Sequence, residues 1–213
     1  MNRVTFLVDG FNLYHSLVQA QGDNGNHCVK WLDLSRLCRG YLHVVRQQVK
    51  VEVGSEAIHY FSAPPTHRSQ ETQNRHALYM GCLKASGIRV HLARFKKRIV
   101  RCPLCNGEAV RHEEKETDVA LATQLLEICH SGEAESVVIV TGDTDLAPTV
   151  RTCKRLFPDV FICFAFPYKR DNSELKRLSP GSFKISRDAY LKHQYPDPLE
   201  LSDGRTVTKP PQW

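Results

Sequence analysis

The sequence predicts a three-layer α/β/α fold with a central parallel sheet, and three observations carry that prediction. Strand-like and helix-like segments alternate along most of the 213 residues. This is the pattern of βα units wound into one sheet. The stretch "SVVIVTGD" (136–143) is almost continuously apolar, as expected of a strand covered on both faces. Two helix-like segments end at a glycine, Gly87 and Gly132, the usual stop for a helix entering a loop.

Taken in order, "VTFLVDG" (4–10) reads as the first strand. "DLSRLCRGYLHVV" (33–45) carries apolar residues at the helical period behind Asp33, a suitable N-cap. "AIHYFSAP" (57–64) reads as a second strand stopped by Pro64 and Pro65. A helix follows over about 69–86, and "IRVHLARF" (88–95) reads as a third strand. "TDVALATQLLEICHSG" (117–132) has the helical period. Residues 136–143 form the fourth strand, "DLAPTVRTCKRLF" (145–157) the next helix, and "VFICFAFP" (160–167) the fifth strand. From residue 194 the chain holds four prolines and little periodicity, which reads as an extended C-terminal tail over 194–213.

Composition narrows the class. A hydrophobic content of 41% and a charged content of 24% are ordinary for a soluble domain. No apolar run approaches the roughly 20 residues of a membrane span, and the N-terminus does not read as a secretory signal. Reduced thiols and a cytoplasmic location are therefore the expectation for a chain with eight cysteines. The formal charge of +6 permits an anionic partner. Arg94, Lys96, Lys97, Arg98 and Arg101 lie within eight residues, "RFKKRIVR". That run is either a solvated face or a set of contacts to an RNA phosphate backbone.

The chemistry lies in the aspartates. Asp9 ends an apolar strand and Asp143 ends another, with Asp145 in the turn after it. Asp118 opens a helix beside the face of Leu121, Ala122 and Leu125, and Glu114 stands four residues earlier. Ligands of parallel sheets bind beyond the carboxyl ends of the strands, so neighbouring strands would bring these acids together. Two carboxylates about 4 Å apart repel by something like 4 kcal/mol at an effective dielectric near 20. Protonation, a Lys or Arg, or a divalent cation answers that repulsion, and an oxygen-only ligand set suits Mg²⁺ or Mn²⁺. Plainer roles stand beside this one. Asp145 could cap a helix, with Pro148 in its first turn. Asp143 could be a turn residue and Asp118 a first-turn acid favoured by the helix dipole. Asn12 could be a helix cap or a donor to substrate.

Three blocks, "FLVDGFNLYHSL", "EEKETDVALATQLLE" and "VVIVTGDTDLAPTV", occur in that order and resemble the signature blocks of NYN domains, a family of the PIN-like nuclease superfamily. The resemblance implies a parallel sheet of order 3-2-1-4-5 and an acidic Mg²⁺/Mn²⁺ site acting on RNA. It implies Asp9, Asp118, Asp143 and Asp145 as metal-site acids and Asn12 as a supporting polar residue. Members of the family often carry a glycine where this chain has Glu116. The domain is expected over 1–193, with an insertion at about 96–113.

That insertion holds "RCPLCNG", the C-x₂-C spacing of a zinc knuckle at Cys102 and Cys105. A structural zinc takes four ligands, and there is no second C-x₂-C. His112, His91, Cys82 or the same pair in a dimer could complete the site; otherwise this is a loop with two reduced thiols. Monomer and homo-oligomer both stay open. Three functions compete. The first is a metal-dependent ribonuclease using an activated water, with single-stranded RNA or structured loops as substrate. The second is an inactive RNA-binding module on the same fold. The third, phosphotransfer, ranks lowest because aspartate-based phosphatases need D-x-D after the first strand, where this chain has "DGFN".

Overall fold

The computed structural model describes every residue except Met1, Asn26, Cys102 and Pro180. Its centre is a parallel sheet. Strand β1 (Asn2–Asp9) pairs with β2 (Val53–Ser62) on one side and β6 (Ser136–Val140) on the other. The sheet extends through β3 (Arg89–Leu92) at one edge and through β7 (Phe161–Phe166) to β8 (Phe183–Lys184) at the other. The order is β3-β2-β1-β6-β7-β8, parallel throughout. The expected order 3-2-1-4-5 holds once its fourth and fifth strands are numbered β6 and β7, with the short β8 added at the edge.

The shift in numbering comes from a separate antiparallel hairpin, β4 (Arg94–Arg101) with β5 (Glu108–Lys115). The sequence reading ran the third strand through to Phe95, but β3 ends at Leu92 and Arg94 already belongs to the hairpin. The insertion is therefore longer than the expected 96–113, because an alternating strand pattern does not mark which sheet a strand joins.

Helices cover both faces. Along β1, Val4, Phe6 and Val8 point into one core, which they share with residues of α1 (Gly10–Gly22), α2 (Leu34–Gly40), α3 (Leu42–Val49) and α4 (Gln70–Ala85). Leu7 points into the other core, with α5 (Thr117–Ser131), α6 (Ala147–Leu156) and α7 (Ser173–Leu178). This is the two-residue alternation of a strand. Asp33 caps α2 through the Arg36 N–H at 2.9 Å as expected, but the single helix read over 33–45 is two, broken at Tyr41. Gly40 lies at that break, where a Cβ would sit 3.0 Å from the His193 ring.

Helix α8 (Arg187–Lys192) follows the sheet, and the last residues form a small hairpin, β9 (Leu199–Glu200) with β10 (Thr206–Val207). This segment lies back on the fold. The Trp31 indole donates to the Pro196 carbonyl at 3.1 Å, and the Trp213 ring packs against Trp31 and Tyr79. No helix among the described residues is long and apolar enough to cross a membrane.

Candidate active site

The sheet order reverses between β1 and β6, and the carboxyl ends of these two strands are level. Val8 lies opposite Val140, so Asp9 and Thr141 are neighbours. By alternation Asp9 shares the face of Leu7, the side covered by α5 and α6. The register alone therefore places Asp9 beside Asp118, at the start of α5, and beside the turn that carries Asp143 and Asp145.

A small hydrogen-bond network fixes this junction. Asp9 is buried and caps α1: its Oδ1 accepts from the Asn12 N–H at 3.0 Å and its Oδ2 from the Thr141 hydroxyl at 2.8 Å. The Thr141 oxygen in turn accepts from the Asp143 N–H at 3.1 Å. Asn12 is not the cap of α1, which is Asp9; its Oδ1 accepts from the Gly142 N–H at 3.1 Å. It ties the first turn of α1 to the loop after β6. Two glycines make the closeness possible. A Cβ on Gly10 would come within 2.5 Å of the Phe61 carbonyl oxygen, and one on Gly142 within 1.9 Å of the Arg170 carbonyl oxygen.

The capping reading of Asp145 is corrected. Asp143 is the cap, accepting from the Asp145 N–H at 3.0 Å, and Asp145 sits exposed in a single 3₁₀ turn, Thr144–Leu146, before α6. Pro148 falls in the first turn of α6, where its missing N–H costs nothing. Asp118 lies in the first turn of α5, half-buried. The N-terminus of that helix is satisfied by Glu114, which accepts from the Thr117 N–H at 2.9 Å and from the Thr117 hydroxyl. Glu116 precedes the helix with φ +81°, in the left-handed region that favours glycine.

Electrostatics show how close the acids are. Burial, then the charges of Asp9, Glu114, Asp143 and Asp145, raise the Asp118 carboxyl to about 6. Burial also raises Asp9, opposed by its hydrogen bonds from Asn12 and Thr141 and reinforced by Asp143. Among the described residues, none of these five acids forms an ion pair with Lys, Arg or His. An oxygen-only donor set with uncompensated negative charge fits a hard divalent cation. The acids surround one crevice without closing into a shell: no three ligating groups among the described residues are drawn together around a common point.

The hairpin beside this crevice divides the basic run. Arg94 pairs with Glu116, Arg98 with Glu113 and Arg101 with Glu108, all across exposed surface. Lys96 and Lys97 have no such partner among the described residues. Strand alternation puts Lys97 on the face of Phe95, with His112 and Glu114 opposite them on β5. Cys105 is exposed and unbonded, and Cys102 lies outside the described residues. Of the residues considered for completing a zinc site, His112 stacks on His67, His91 on His59 and Phe61, and Cys82 is buried in the core.

Sequence reading missed Thr141 and the inward turn of Asn12. The threonine follows four apolar residues and looked like the end of a strand. Only the parallel register shows that it faces a carboxylate. The Arg170 carbonyl against Gly142 comes from the loop after β7 and carries no sequence signal.

The NYN domain family model matches residues 3–185. No curated protein matches the chain. Among solved structures, the fold is similar to the crystal structure of a protein of unknown function, VPA0982, from Vibrio parahaemolyticus RIMD 2210633. The TM-score is 0.55 at 16% identity, covering 88% of this chain and 94% of that one. At that identity the likeness concerns the fold alone. With the family match spanning the sheet, both helical layers and all three acidic blocks, the chain belongs to the NYN domain family of the PIN-like nuclease superfamily.

Proposed function

We propose that this protein is a metal-dependent ribonuclease that hydrolyses RNA phosphodiester bonds with an activated water. The observation that carries the reading is five carboxylates around the end of β1 with no cationic side chain paired to any of them among the described residues. Asp9, Asp118, Asp143 and Asp145 would hold Mg²⁺ or Mn²⁺. When bound, such an ion offsets charge on the scissile phosphate and acidifies an attacking water.

The protein's own part is positioning. Thr141 fixes the rotamer of Asp9 while holding the backbone of Asp143. Asn12 locks the loop after β6 to α1. Glu114 secures the start of α5, so Asp118 faces the crevice from the helix's first turn. The hairpin supplies a cationic surface, Lys97 above all, for the phosphate backbone. A cytoplasmic location and a zinc at Cys102 and Cys105 are part of the same proposal. Elemental analysis of protein purified without added metal tests the zinc.

One observation favours the second reading, an RNA-binding module without catalysis: no three acids converge on a common point. Labelled single-stranded RNA incubated with the protein and Mn²⁺, with and without EDTA, separates the two. Cleavage that EDTA abolishes supports the nuclease. Binding without cleavage supports the module.

A further inference from the structure

Next to the acidic crevice lies a cleft of about 750 Å³, lined among others by Gly10, Glu114, Lys30 and Trp213. Its size is that of a small-ligand pocket. One wall is a continuous run of rings. Phe11 meets Phe95 edge-on at 5.7 Å, Phe95 meets His67 at 4.6 Å, and His67 stacks on His112 at 4.6 Å with the planes 10° apart. These rings join α1, the loop after β2 and the hairpin, so the insertion itself builds the wall. One turn along α1 from Phe11, Tyr14 is about half exposed and carries the Lys30 ammonium 6.0 Å from its ring centre.

The charges in the cleft are the reverse of those in the crevice. Lys30, Arg68 and Arg75 line it, and Glu114, at the end towards the crevice, is its one acid. Arg75 is neutralised by Glu71. Lys30 and Arg68 have no ion-pair partner among the described residues.

We propose that this cleft binds one nucleotide of a single-stranded RNA next to the scissile bond, its base against the ring wall and Tyr14 and its phosphate at Arg68 and Lys30. The proposal rests on the nuclease reading for its direction, since Gly10, next to Asp9, and Glu114 are among the residues that line the cleft. Base stacking on aromatic rings is tolerant of sequence and needs an unpaired base. A duplex keeps its bases stacked on each other and cannot enter. The cleft therefore selects single-stranded RNA or loops over duplex.

The test uses the full chain in EDTA, so that binding is read without cleavage. The probes are a short fluorescent single-stranded RNA of mixed sequence and the same RNA annealed to its complement. The expected result is tighter binding of the single strand. Tyr14→Ala should weaken that binding about tenfold, with Tyr14→Phe close to wild type. Arg68→Ala should weaken it and lower the salt slope by about one contact. Both positions are exposed, and thermal melts confirm that the variants fold. Duplex bound as tightly as single strand, or wild-type affinity in both Tyr14→Ala and Arg68→Ala, overturns the proposal. Failure of the nuclease reading looks different: in Mn²⁺ the bound RNA stays whole while the cleft variants still lose affinity.

Discussion

The crevice at the ends of β1 and β6 and the β4–β5 hairpin beside it use the same residue types in opposite ways. In the crevice, acids face acids, the neighbouring backbone is tied by Asn12 and Thr141, and two glycines allow the loops to close. On the hairpin, each paired arginine has a glutamate across exposed surface. Exposed pairs of that kind contribute about 0–1 kcal/mol each and weaken with salt. The crevice accepts repulsion that the fold could have relieved with one lysine. The hairpin pairs Arg94, Arg98 and Arg101 and leaves Lys96 and Lys97 without an ion-pair partner among the described residues. Stored repulsion at the end of a rigid strand is what the proposed divalent cation would relieve.

The sharpest way to break this comparison is to remove charge from the crevice. Asp9→Asn keeps the shape and an oxygen to accept from the Asn12 N–H but removes a carboxylate. Mn²⁺-dependent RNA cleavage should fall by at least about 10³-fold, while Lys97→Ala on the hairpin should cost only a few-fold and act through KM. Steady-state kinetics on one labelled RNA compares them. Equal losses from the two variants would erase the distinction. Thr141→Val comes next. It leaves Asp9 Oδ2 and the Asp143 N–H without their partner and should lower cleavage by about 10- to 100-fold, as losses of supporting contacts around metal ligands do. It should also cost about 1–3 kcal/mol in stability for the buried groups left unpaired. Denaturant unfolding of the variant measures the second effect.

Much of this contrast was legible in the sequence. An apolar strand ending on Asp9 and another ending on Asp143 are local patterns, and the rule for parallel sheets puts their ends together. What escaped were facts of register and orientation. Thr141 and Asn12 are ordinary polar residues in sequence; their partners lie 132 and 130 residues away. The hairpin was half legible. Its basic run stood out, but its neutralisation by Glu108, Glu113 and Glu116 depends on cross-strand pairing that begins only at the turn, where the sequence showed a cysteine pair instead.

Repulsion in the crevice also has a pH signature. The Asp118 carboxyl lies near 6 in the folded protein, above its ordinary value of 3.8. A raised carboxyl binds its proton more tightly folded than unfolded, so folding is favoured where it is protonated, and that contribution is lost as pH rises through about 6. Glu135 and Asp171, both held near 2, act in the opposite direction but only below about 4.5. His59, held down to about 4 by burial, and His67, His76 and His91, lowered likewise, favour unfolding as pH falls through the same range. The signature of Asp118 is therefore read in EDTA as the melting temperature of the wild type minus that of Asp118→Asn, which should rise as pH falls from 7.5 to 5.5. Asp118 is only half-buried and solvent screens part of the effect, so about 2 °C is expected. Asp118→Asn should be the more stable of the two at pH 7.5 and lose that advantage by pH 5.5. A difference between the two profiles that does not change with pH would show that the acids do not repel.

The smallest effect tests the joint between the two regions. Glu116 ends the hairpin and begins α5, with its backbone at φ +81° and its carboxylate on Arg94 at 2.6 Å. Glu116→Gly and Glu116→Ala both remove that exposed ion pair, so the difference between them is independent of it. In most positions glycine is the less stable of the two by about 0.5–1 kcal/mol, because its unfolded chain has more freedom to lose. Here the left-handed backbone costs alanine about 1–2 kcal/mol that glycine does not incur. The usual order should reverse, with Glu116→Gly melting about 2–4 °C above Glu116→Ala if the net difference is near 1 kcal/mol. Cleavage should stay within a few-fold of wild type in the glycine variant, since Glu114 still satisfies the helix end and Asp118 keeps its place. If alanine proves as stable as glycine, the turn is not left-handed, and the geometry that aims Asp118 into the crevice has to be redrawn from the hairpin onward.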